Sequence, residues 1–264
     1  MYQVDAFSTD LFKGNPAAVI ITAMWLDEVL MQNIALENNL SETAFVRVID
    51  AQNYEIRWFT PSNEIDFCGH ATLASSFVLF QDYTSARTIY FHVHNLGIFV
   101  ISLGDDGRIR MDFPMRKPLL AAVYPEHLQQ ALGIPLGPVY INQQAFIVLC
   151  DHAEMVKNLK PDFALIEQIG QVHGRAVAVT AYGDGRYDCV SRYFAPHQGI
   201  PEDPVTGSLH TAIAPLWAEK LGKSELLAYQ ASKRGGELYC MLKVPDRVEI
   251  SGYAKLYMQA ELYL

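Results

Sequence analysis

The sequence lacks the short motifs that are typical of nucleotide-binding, nicotinamide-dependent and zinc-dependent proteins. It contains no G-x-G-x-x-G, no P-loop and no H-E-x-x-H. Its four cysteines, at positions 68, 150, 189 and 240, are scattered without a C-x-x-C spacing, which argues against a zinc knuckle and a disulfide framework. We therefore expect neither a metal nor an organic cofactor.

Long apolar runs and clustered positive charge are also missing. The first residues have no basic region followed by an apolar core, and no uncharged apolar run reaches membrane-spanning length. The 264 residues carry a net charge of −9 without a compensating Lys/Arg cluster, which argues against a surface for nucleic acid or anionic membrane. We expect a globular, cytoplasmic protein whose partner is a small molecule.

The sequence does contain two stretches in which an acidic residue and a glycine turn precede an apolar helical pattern. Pro201–His210 opens a pattern that continues to Leu221, and Asp66–Thr72 opens one that runs from Leu73 to Phe80. Backbone N–H groups at a helix start have no intrahelical partner, so each turn could hold an anion. Ordinary helix N-caps, which favour Asp, Ser and Thr, are the alternative.

Both halves of the chain have the same predicted order of elements: strand, strand, helix, strand, strand, glycine turn, long helix, strands. Alternation predicts strands at Thr88–Val93, Ala145–Leu149 and Glu237–Val244, and helical spacing predicts helices at Trp25–Leu36 and Ala71–Phe80. The repeat has no sequence identity and depends on pattern alone. We predict two lobes, each a curled sheet around a buried helix, whose helix starts face a shared cleft.

Glu42 is the first candidate for acid–base chemistry. It lies between a predicted helix and a predicted strand among apolar neighbours, where partial burial would let it act as a general acid or base near neutral pH. A solvated loop carboxylate is the alternative. Glu202 and Asp203 form an adjacent acidic pair, and a cleft that brings Glu42 near Asp203 would hold two carboxylates with different proton affinities.

Cys68 and His70 could form a thiol–imidazole pair, but side chains this close in sequence rarely point at each other, so we do not expect one. Cys68 fits a small buried apolar group equally well, and His70 could donate a hydrogen bond to a bound anion. His92 and His94 share a strand face but are too few for a metal site, so a solvated face is expected.

Two glycine-containing turns are open to either interpretation. Asn15 could bind a ligand or complete a turn. The segment Ser232–Gly236 could add a guanidinium to a substrate site or shape a hairpin.

Six short motifs, in family order along nearly the whole chain, make the sequence similar to the PhzF family of phenazine-biosynthesis-like isomerases. The motifs are KGNPAAV (13–19), LSETAF (40–45), CGHAT (68–72), SRYFAP (191–196), EDPVTGS (202–208) and SKRGG (232–236). The resemblance implies an α+β, diaminopimelate-epimerase-like fold: two pseudo-symmetric lobes, each a β-barrel around a central helix. It also implies a homodimer, and a last strand that returns to the first lobe. The predicted lobes are then residues 1–116 with about 252–264, and residues 117–251.

The resemblance further implies proton transfer without a metal or organic cofactor, which in characterised members isomerises a dihydro-hydroxyanthranilate. Carried over by position, Glu42 is the acid/base group, while His70, Asp203 and Ser208 hold and orient the substrate. The predicted catalytic residues are accordingly Glu42, His70 and Asp203. The predicted substrate-binding residues lie in the matching motifs: Asn15, Gly69, Thr206, Gly207 and Ser208.

The chain departs from related proteins at two points. Racemases and epimerases with this fold use two opposed thiols, whereas this chain has Cys68 in the first turn and no thiol in the second, so two-thiol racemisation is not expected. Leu209 replaces the alanine usual in the family, which would reshape the cleft.

We predict a cofactor-independent isomerase of a small amino- or hydroxy-carboxylate. The alternatives are a racemase or epimerase that pairs Cys68 with a carboxylate, and a binding protein without turnover.

Overall fold

The computed structural model of the chain describes residues 1–243 and 245–264. Its strands are β1 (Tyr2–Ala6), β2 (Asn15–Thr22), β3 (Glu42–Val48), β4 (Asn53–Phe59), β5 (Glu64–Ile65), β6 (Thr88–Val93), β7 (Gly97–Leu103), β8 (Ile109–Pro114), β9 (Leu119–Leu120), β10 (Val139–Ile141), β11 (Ala145–Leu149), β12 (Ala176–Tyr182), β13 (Cys189–Phe194), β14 (Glu225–Gln230), β15 (Gly236–Lys243), β16 (Arg247–Gly252) and β17 (Ala254–Gln259). Its α-helices are α1 (Glu28–Asn38), α2 (Gly69–Val78), α3 (Leu128–Leu132), α4 (Ala153–Lys157), α5 (Phe163–His173) and α6 (Gly207–Leu221).

The chain divides into two compact units. Unit 1 contains Met1–Asp112 and Ser251–Leu264, and unit 2 contains Phe113–Ile250. The sequence had suggested boundaries at residues 116 and 251. Within the described part of the chain, no helix combines the length and the hydropathy needed to cross a membrane.

The sheet of unit 1 contains both antiparallel and parallel pairs. Starting from β17, the order is β17-β1-β2-β3-β4-β6-β7-β8. The pairs β2/β3 and β4/β6 are parallel, and the others are antiparallel. The short β5 pairs with the end of β4. The last strand of the chain therefore extends the N-terminal sheet.

Helix α2 is the buried centre of unit 1, where it packs against β1, β2, β3 and β17. Leu73 and Ala74 are fully buried, and three hydroxyl residues are buried beside them. The hydroxyls of Thr72, Ser75 and Ser76 each donate to a backbone carbonyl four residues earlier. Small polar side chains can therefore occupy the core without an unsatisfied group.

Unit 2 repeats the pairing pattern of unit 1. The order β10-β11-β12-β13-β14-β15 is antiparallel, parallel, antiparallel, parallel and antiparallel, as it is from β1 to β7 without β5. In each unit a buried helix, α2 or α6, follows the fourth strand of this series. The repeat predicted from pattern is thus present in the topology of the two units.

Helix α6 is the buried helix of unit 2 and contains Pro215 in its interior. Proline has no N–H, so the carbonyl of Thr211, one turn earlier, loses its intrahelical donor. The backbone N–H of Arg116 donates to that carbonyl at 3.0 Å. This bond satisfies the carbonyl and lets the apolar pattern continue to Leu221, as the sequence predicted.

Most predicted elements are present with shifted ends. The predicted helix at residues 25–36 was wrong at its start: α1 begins at Glu28, because the Asp27 side chain accepts hydrogen bonds from the backbone N–H groups of Val29 and Leu30. The predicted helix at residues 71–80 begins at Gly69 and continues into a π-helical turn from residue 79. Strand β15 ends at Lys243, and the predicted strand end at Val244 lies outside the described residues.

Candidate active site

The start of α2 gathers three predicted functional side chains in unit 1. His70 Nε2 lies 3.0 Å from Glu42 Oε2, and His70 Nδ1 lies 3.0 Å from Asn15 Nδ2. The sulfur of Cys68 is 3.4 Å from His70 Nδ1. All four side chains are buried. The imidazole of His70 is therefore the centre of a buried polar cluster that contains Glu42, Asn15 and Cys68.

Local backbone structure explains how these residues meet. Helix α1 ends at Asn38, and the positive φ of Asn39, its C-cap, turns the chain toward β3, which begins at Glu42. In the parallel pair β2/β3, Glu42 stands opposite Ala17, two residues beyond Asn15. Gly14, which precedes Asn15, also has a positive φ, and a Cβ there would collide with the carbonyl of Ala6. The K-G-N turn thus places Asn15 at the start of β2, next to the start of α2.

The expectation that Cys68 and His70 would not meet was wrong. Cys68 is the residue before α2 and has an extended backbone, with φ −139° and ψ 115°, whereas His70 lies in the first helical turn. The change from extended to helical backbone between the two residues lets their side chains converge. Periodicity arguments apply within one element and fail across such a junction.

Glu42 has one carboxylate oxygen with unused hydrogen-bonding capacity. Its Oε2 is buried and lies within ion-pair distance of His70, yet among the described residues it accepts no well-aligned hydrogen bond. A buried oxygen in this condition can take part in proton transfer without first breaking a strong bond.

Burial and neighbouring charge set the proton affinities in this cluster. Burial raises the pKa of the Cys68 thiol to about 11, and the Glu42 carboxylate adds to the rise. For His70, burial acts to lower the pKa, but Cys68 and Glu42 outweigh it and hold the pKa well above 6.5. Since the thiol is neutral near pH 7, we attribute the raised pKa of His70 there to the carboxylate of Glu42.

The same three residues are the group in the described chain whose spacing could admit a metal ion. The ligating atoms of Glu42, Cys68 and His70 lie within 4.8 Å of one another. A metal at this point would have to displace the proton of the Cys68 thiol, whose pKa burial raises in the metal-free protein. The cluster could therefore hold a metal only with loss of that proton.

In unit 2, the turn before α6 is fixed by hydrogen bonds. The hydroxyl of Thr206 donates to Asp203 Oδ2, and the backbone N–H of Thr206 donates to Gln230 Oε1 at 2.8 Å. The amide nitrogen of Gln230 donates to the Asp203 carbonyl at 2.7 Å. The Ser232 hydroxyl donates to the Pro204 carbonyl at 2.8 Å. The acidic turn and the Ser232–Gly236 loop are thus joined.

Ser208, the second residue of α6, is held by a residue that the sequence analysis missed. The amide nitrogen of Gln144 donates to Ser208 Oγ at 2.8 Å and to the hydroxyl of Tyr193 at 3.2 Å. Burial raises the pKa of Tyr193, which keeps it a neutral phenol. No local sequence pattern marks Gln144 or Gln230, because their hydrogen-bond partners are more than 20 positions away in the sequence.

Two further residues near this turn stabilise the local structure through an ion pair and a hydrogen bond. Glu202, predicted as half of an acidic pair, forms a two-bond ion pair with the buried Arg192, at 2.7 and 2.9 Å. His210 lies within 2.8 Å of the Thr206 carbonyl through its Nδ1, and burial lowers its pKa to about 4. His210 is therefore a neutral donor that braces the turn.

One surface cavity of unit 1 does not include the Glu42 cluster. It has a volume of about 650 Å³, and its lining includes Trp25, Arg57, His92 and His94. His92 Nε2 lies 2.9 Å from the Asn53 side-chain oxygen, and His94 is exposed. We place the chemistry at the buried cluster, because Glu42 and His70 are almost fully buried, whereas the Arg57–Glu64 ion pair that lines the cavity is partly exposed to solvent.

Comparison with known proteins agrees with this arrangement of motifs. The family model for phenazine biosynthesis-like proteins, PhzC-PhzF, matches residues 4–260. The chain belongs to the PhzC-PhzF family. It is similar to an uncharacterized isomerase of Halalkalibacterium halodurans, with 44% identity over 100% of this chain and 98% of the relative. The PhzF resemblance predicted from the six motifs is confirmed, and the name of this relative supports the predicted isomerase class.

Solved structures confirm the fold of this PhzC-PhzF member. A PhzF-family protein from Enterococcus faecalis superposes with a TM-score of 0.92 and 44% identity, over 100% of this chain and 98% of the other. A probable proline racemase from Agrobacterium radiobacter superposes with a TM-score of 0.64 at 10% identity, over 100% and 92%. The second likeness concerns the fold alone, and it agrees with the predicted diaminopimelate-epimerase-like class.

Proposed function

We propose that this protein is a cofactor-independent isomerase of a small amino- or hydroxy-carboxylate, and that Glu42 transfers the proton. The observation that carries the proposal is the buried contact between Glu42 Oε2 and His70 Nε2 at 3.0 Å. The contact orients the carboxylate of Glu42, and a general base must be held in a fixed position within reach of the proton that it takes. Membership of an isomerase family supports the same class of reaction.

In the proposed reaction, Glu42 takes a proton from an activated carbon of the substrate and returns a proton at another position. The bonding electrons shift along the substrate, so no electron is gained or lost overall. The imidazole of His70 stabilises the charged carboxylate through their close contact. Asp203, Ser208, Asn15 and the first backbone N–H groups of α6, at Gly207, are proposed to hold and orient the substrate, with Gly69 in the same role in unit 1.

Incorporation of deuterium from D₂O tests this proposal. The wild-type protein is incubated with small amino and enol carboxylates, including dihydro-hydroxyanthranilate, and the products are followed by NMR. Isomerisation with solvent deuterium at the new C–H position is the expected result. Binding of a carboxylate that is returned unchanged and without deuterium would contradict the proposal and favour a binding protein without turnover.

A racemase or epimerase that uses Cys68 is the second candidate, because the sulfur contacts the ring of His70. The raised pKa of Cys68 disfavours it as a base near neutral pH. Replacement Cys68→Ala separates the two candidates, with Cys150→Ala as a control for another buried thiol. We expect Cys68→Ala to retain at least about a tenth of the exchange rate, whereas loss of roughly 10²-fold or more would favour the thiol. Homodimer formation and a cytoplasmic location stay predictions.

A further inference from the structure

Gln230 has a side-chain orientation that its partners determine. It is fully buried at the end of β14, opposite Ser191 of β13. One end of its amide accepts from a backbone N–H, that of Thr206, and the other end donates to a backbone carbonyl, that of Asp203. A backbone N–H can only donate and a carbonyl can only accept, so Oε1 and Nε2 cannot be interchanged.

This orientation also determines the direction of the next hydrogen bond. Gln230 Nε2 donates a second time, to Thr206 Oγ1, at 3.1 Å. This bond occupies one lone pair of Thr206 Oγ1, so the Thr206 hydroxyl directs its own proton elsewhere. The acceptor within its reach is Asp203 Oδ2. The chain of donors therefore runs from Gln230 through Thr206 to Asp203. Asp203 Oδ2 is thus the acceptor at the end of this chain of donors.

The turn has other supports that do not depend on Gln230. The backbone N–H of Asp203 donates to the Tyr193 carbonyl at 3.0 Å, and Ser232 holds Pro204. His210 braces the carbonyl of Thr206. Removal of the amide of Gln230 should therefore release the Asp203 side chain more than it unfolds the turn.

We propose that Gln230 and Thr206 are positioning residues that hold Asp203 as an oriented hydrogen-bond acceptor, so that Asp203 binds a substrate through an N–H or O–H group. The first part concerns the turn itself. The second part rests on the proposed function, which assigns Asp203 to the substrate. It deepens that function by assigning Asp203 to the amino or hydroxy group of the substrate.

The first experiment follows the Thr206 hydroxyl proton by NMR in the ligand-free protein. We expect a proton in slow exchange with water in the wild type, and exchange at least about tenfold faster in both Gln230→Met and Asp203→Ala. Gln129→Met, at an exposed position on α3, is the matched control and should leave the exchange unchanged. Unchanged exchange in Gln230→Met would overturn the positioning role, whatever reaction the protein catalyses.

The second experiment measures deuterium incorporation in a double-mutant cycle. Thr206→Val, which lacks the hydroxyl, should lose roughly 10- to 100-fold in rate, and Thr206→Ser should recover most of it. In the Asp203→Ala background, Thr206→Val should cause little further loss, because both changes act on one group. Equal losses in both backgrounds would overturn the inference. A wild type that shows the slow hydroxyl proton but incorporates no deuterium into any probe would refute the proposed function. It would leave the chain of donors from Gln230 through Thr206 to Asp203 intact.

A third measurement tests the requirement for a donor group with two matched probes, anthranilate and benzoate, titrated into the protein and followed by NMR. We expect anthranilate to bind the wild type more tightly, and this preference to shrink in Thr206→Val. Equal affinity for the two probes would contradict the assignment of Asp203 to a substrate N–H or O–H group.

Discussion

At the scale of single residues, burial has opposite outcomes for two histidines. His70 sits beside the carboxylate of Glu42, and its pKa lies well above 6.5 although burial opposes this. His210 has the Ser191 hydroxyl and the Thr206 carbonyl as hydrogen-bond partners, and burial lowers its pKa to about 4. The difference depends on the neighbouring group, since both rings are almost fully buried. Only His70 has the electrostatic setting of a functional group.

His210 should make the protein sensitive to acid. Its folded-state pKa is depressed, so its contribution to stability is present above about pH 6.5 and is lost as the pH falls toward about 4. A shift of this size corresponds to at most about 3 kcal/mol of unfolding free energy. Denaturant unfolding of His210→Gln should show a weaker loss of stability across this range. The exposed His127→Gln is the control, and equal pH dependence in wild type and His210→Gln would contradict the account.

The site was predictable at this scale where motif and chemistry coincide. The sequence indicated Glu42, His70 and Asp203 by type and position, and the structure places Glu42 and His70 in contact. It could not indicate Gln144 or Gln230, because an isolated glutamine gains its role from groups that only the fold brings to it. It also misjudged Cys68, because the backbone changes conformation next to it.

At the scale of elements, α2 and α6 are buried helices whose starts carry residues that we propose to be functional. Their burial follows from sequence, since most of their residues are apolar, and in α2 the hydroxyls of Ser75 and Ser76 bond within the helix. The helix ends were harder to predict, because caps such as Asp27 and continuations such as the π-helical turn at Leu79–Tyr83 depend on local geometry.

Helix α2 should contribute strongly to the stability of unit 1. Leu73 is fully buried, so Leu73→Ala removes apolar contacts and leaves a cavity in a packed core. We expect a loss of about 2–5 kcal/mol in the free energy of unfolding. Leu36→Ala on α1 is the matched control, because Leu36 is 58% exposed. Equal effects of the two substitutions on denaturant midpoints would refute the central position of α2.

At the scale of the whole molecule, two units repeat one pattern of strand pairing without detectable sequence identity. The pattern was predictable because the order of elements survives when side chains change. The pairing of β1 with the distant β17 was not predictable from periodicity; only the family resemblance implied it. Contacts between the two ends of a chain leave no local signal.

The pairing of β1 with β17 has a measurable consequence. A chain that stops after Gly252 lacks β17, which borders both β1 and α2. Its loss makes β1, which is still paired with β2, an edge strand and exposes part of the helix. We expect the amide protons of Tyr2–Ala6 to exchange faster with solvent, whereas those of β11 and β12 in unit 2 keep their protection. Unchanged protection of β1 would show that β17 is dispensable for unit 1.

The most direct test of the central claim compares deuterium incorporation by wild type, Glu42→Gln and Glu37→Gln on any probe that the wild type converts. Glu37 is an exposed glutamate of α1, so Glu37→Gln removes a carboxylate without touching the buried cluster. We predict that Glu42→Gln loses roughly 10²- to 10⁴-fold in rate and still binds the probe, while Glu37→Gln matches the wild type. A Glu42→Gln protein that exchanges hydrogen as fast as the wild type would contradict Glu42 as the proton-transfer group.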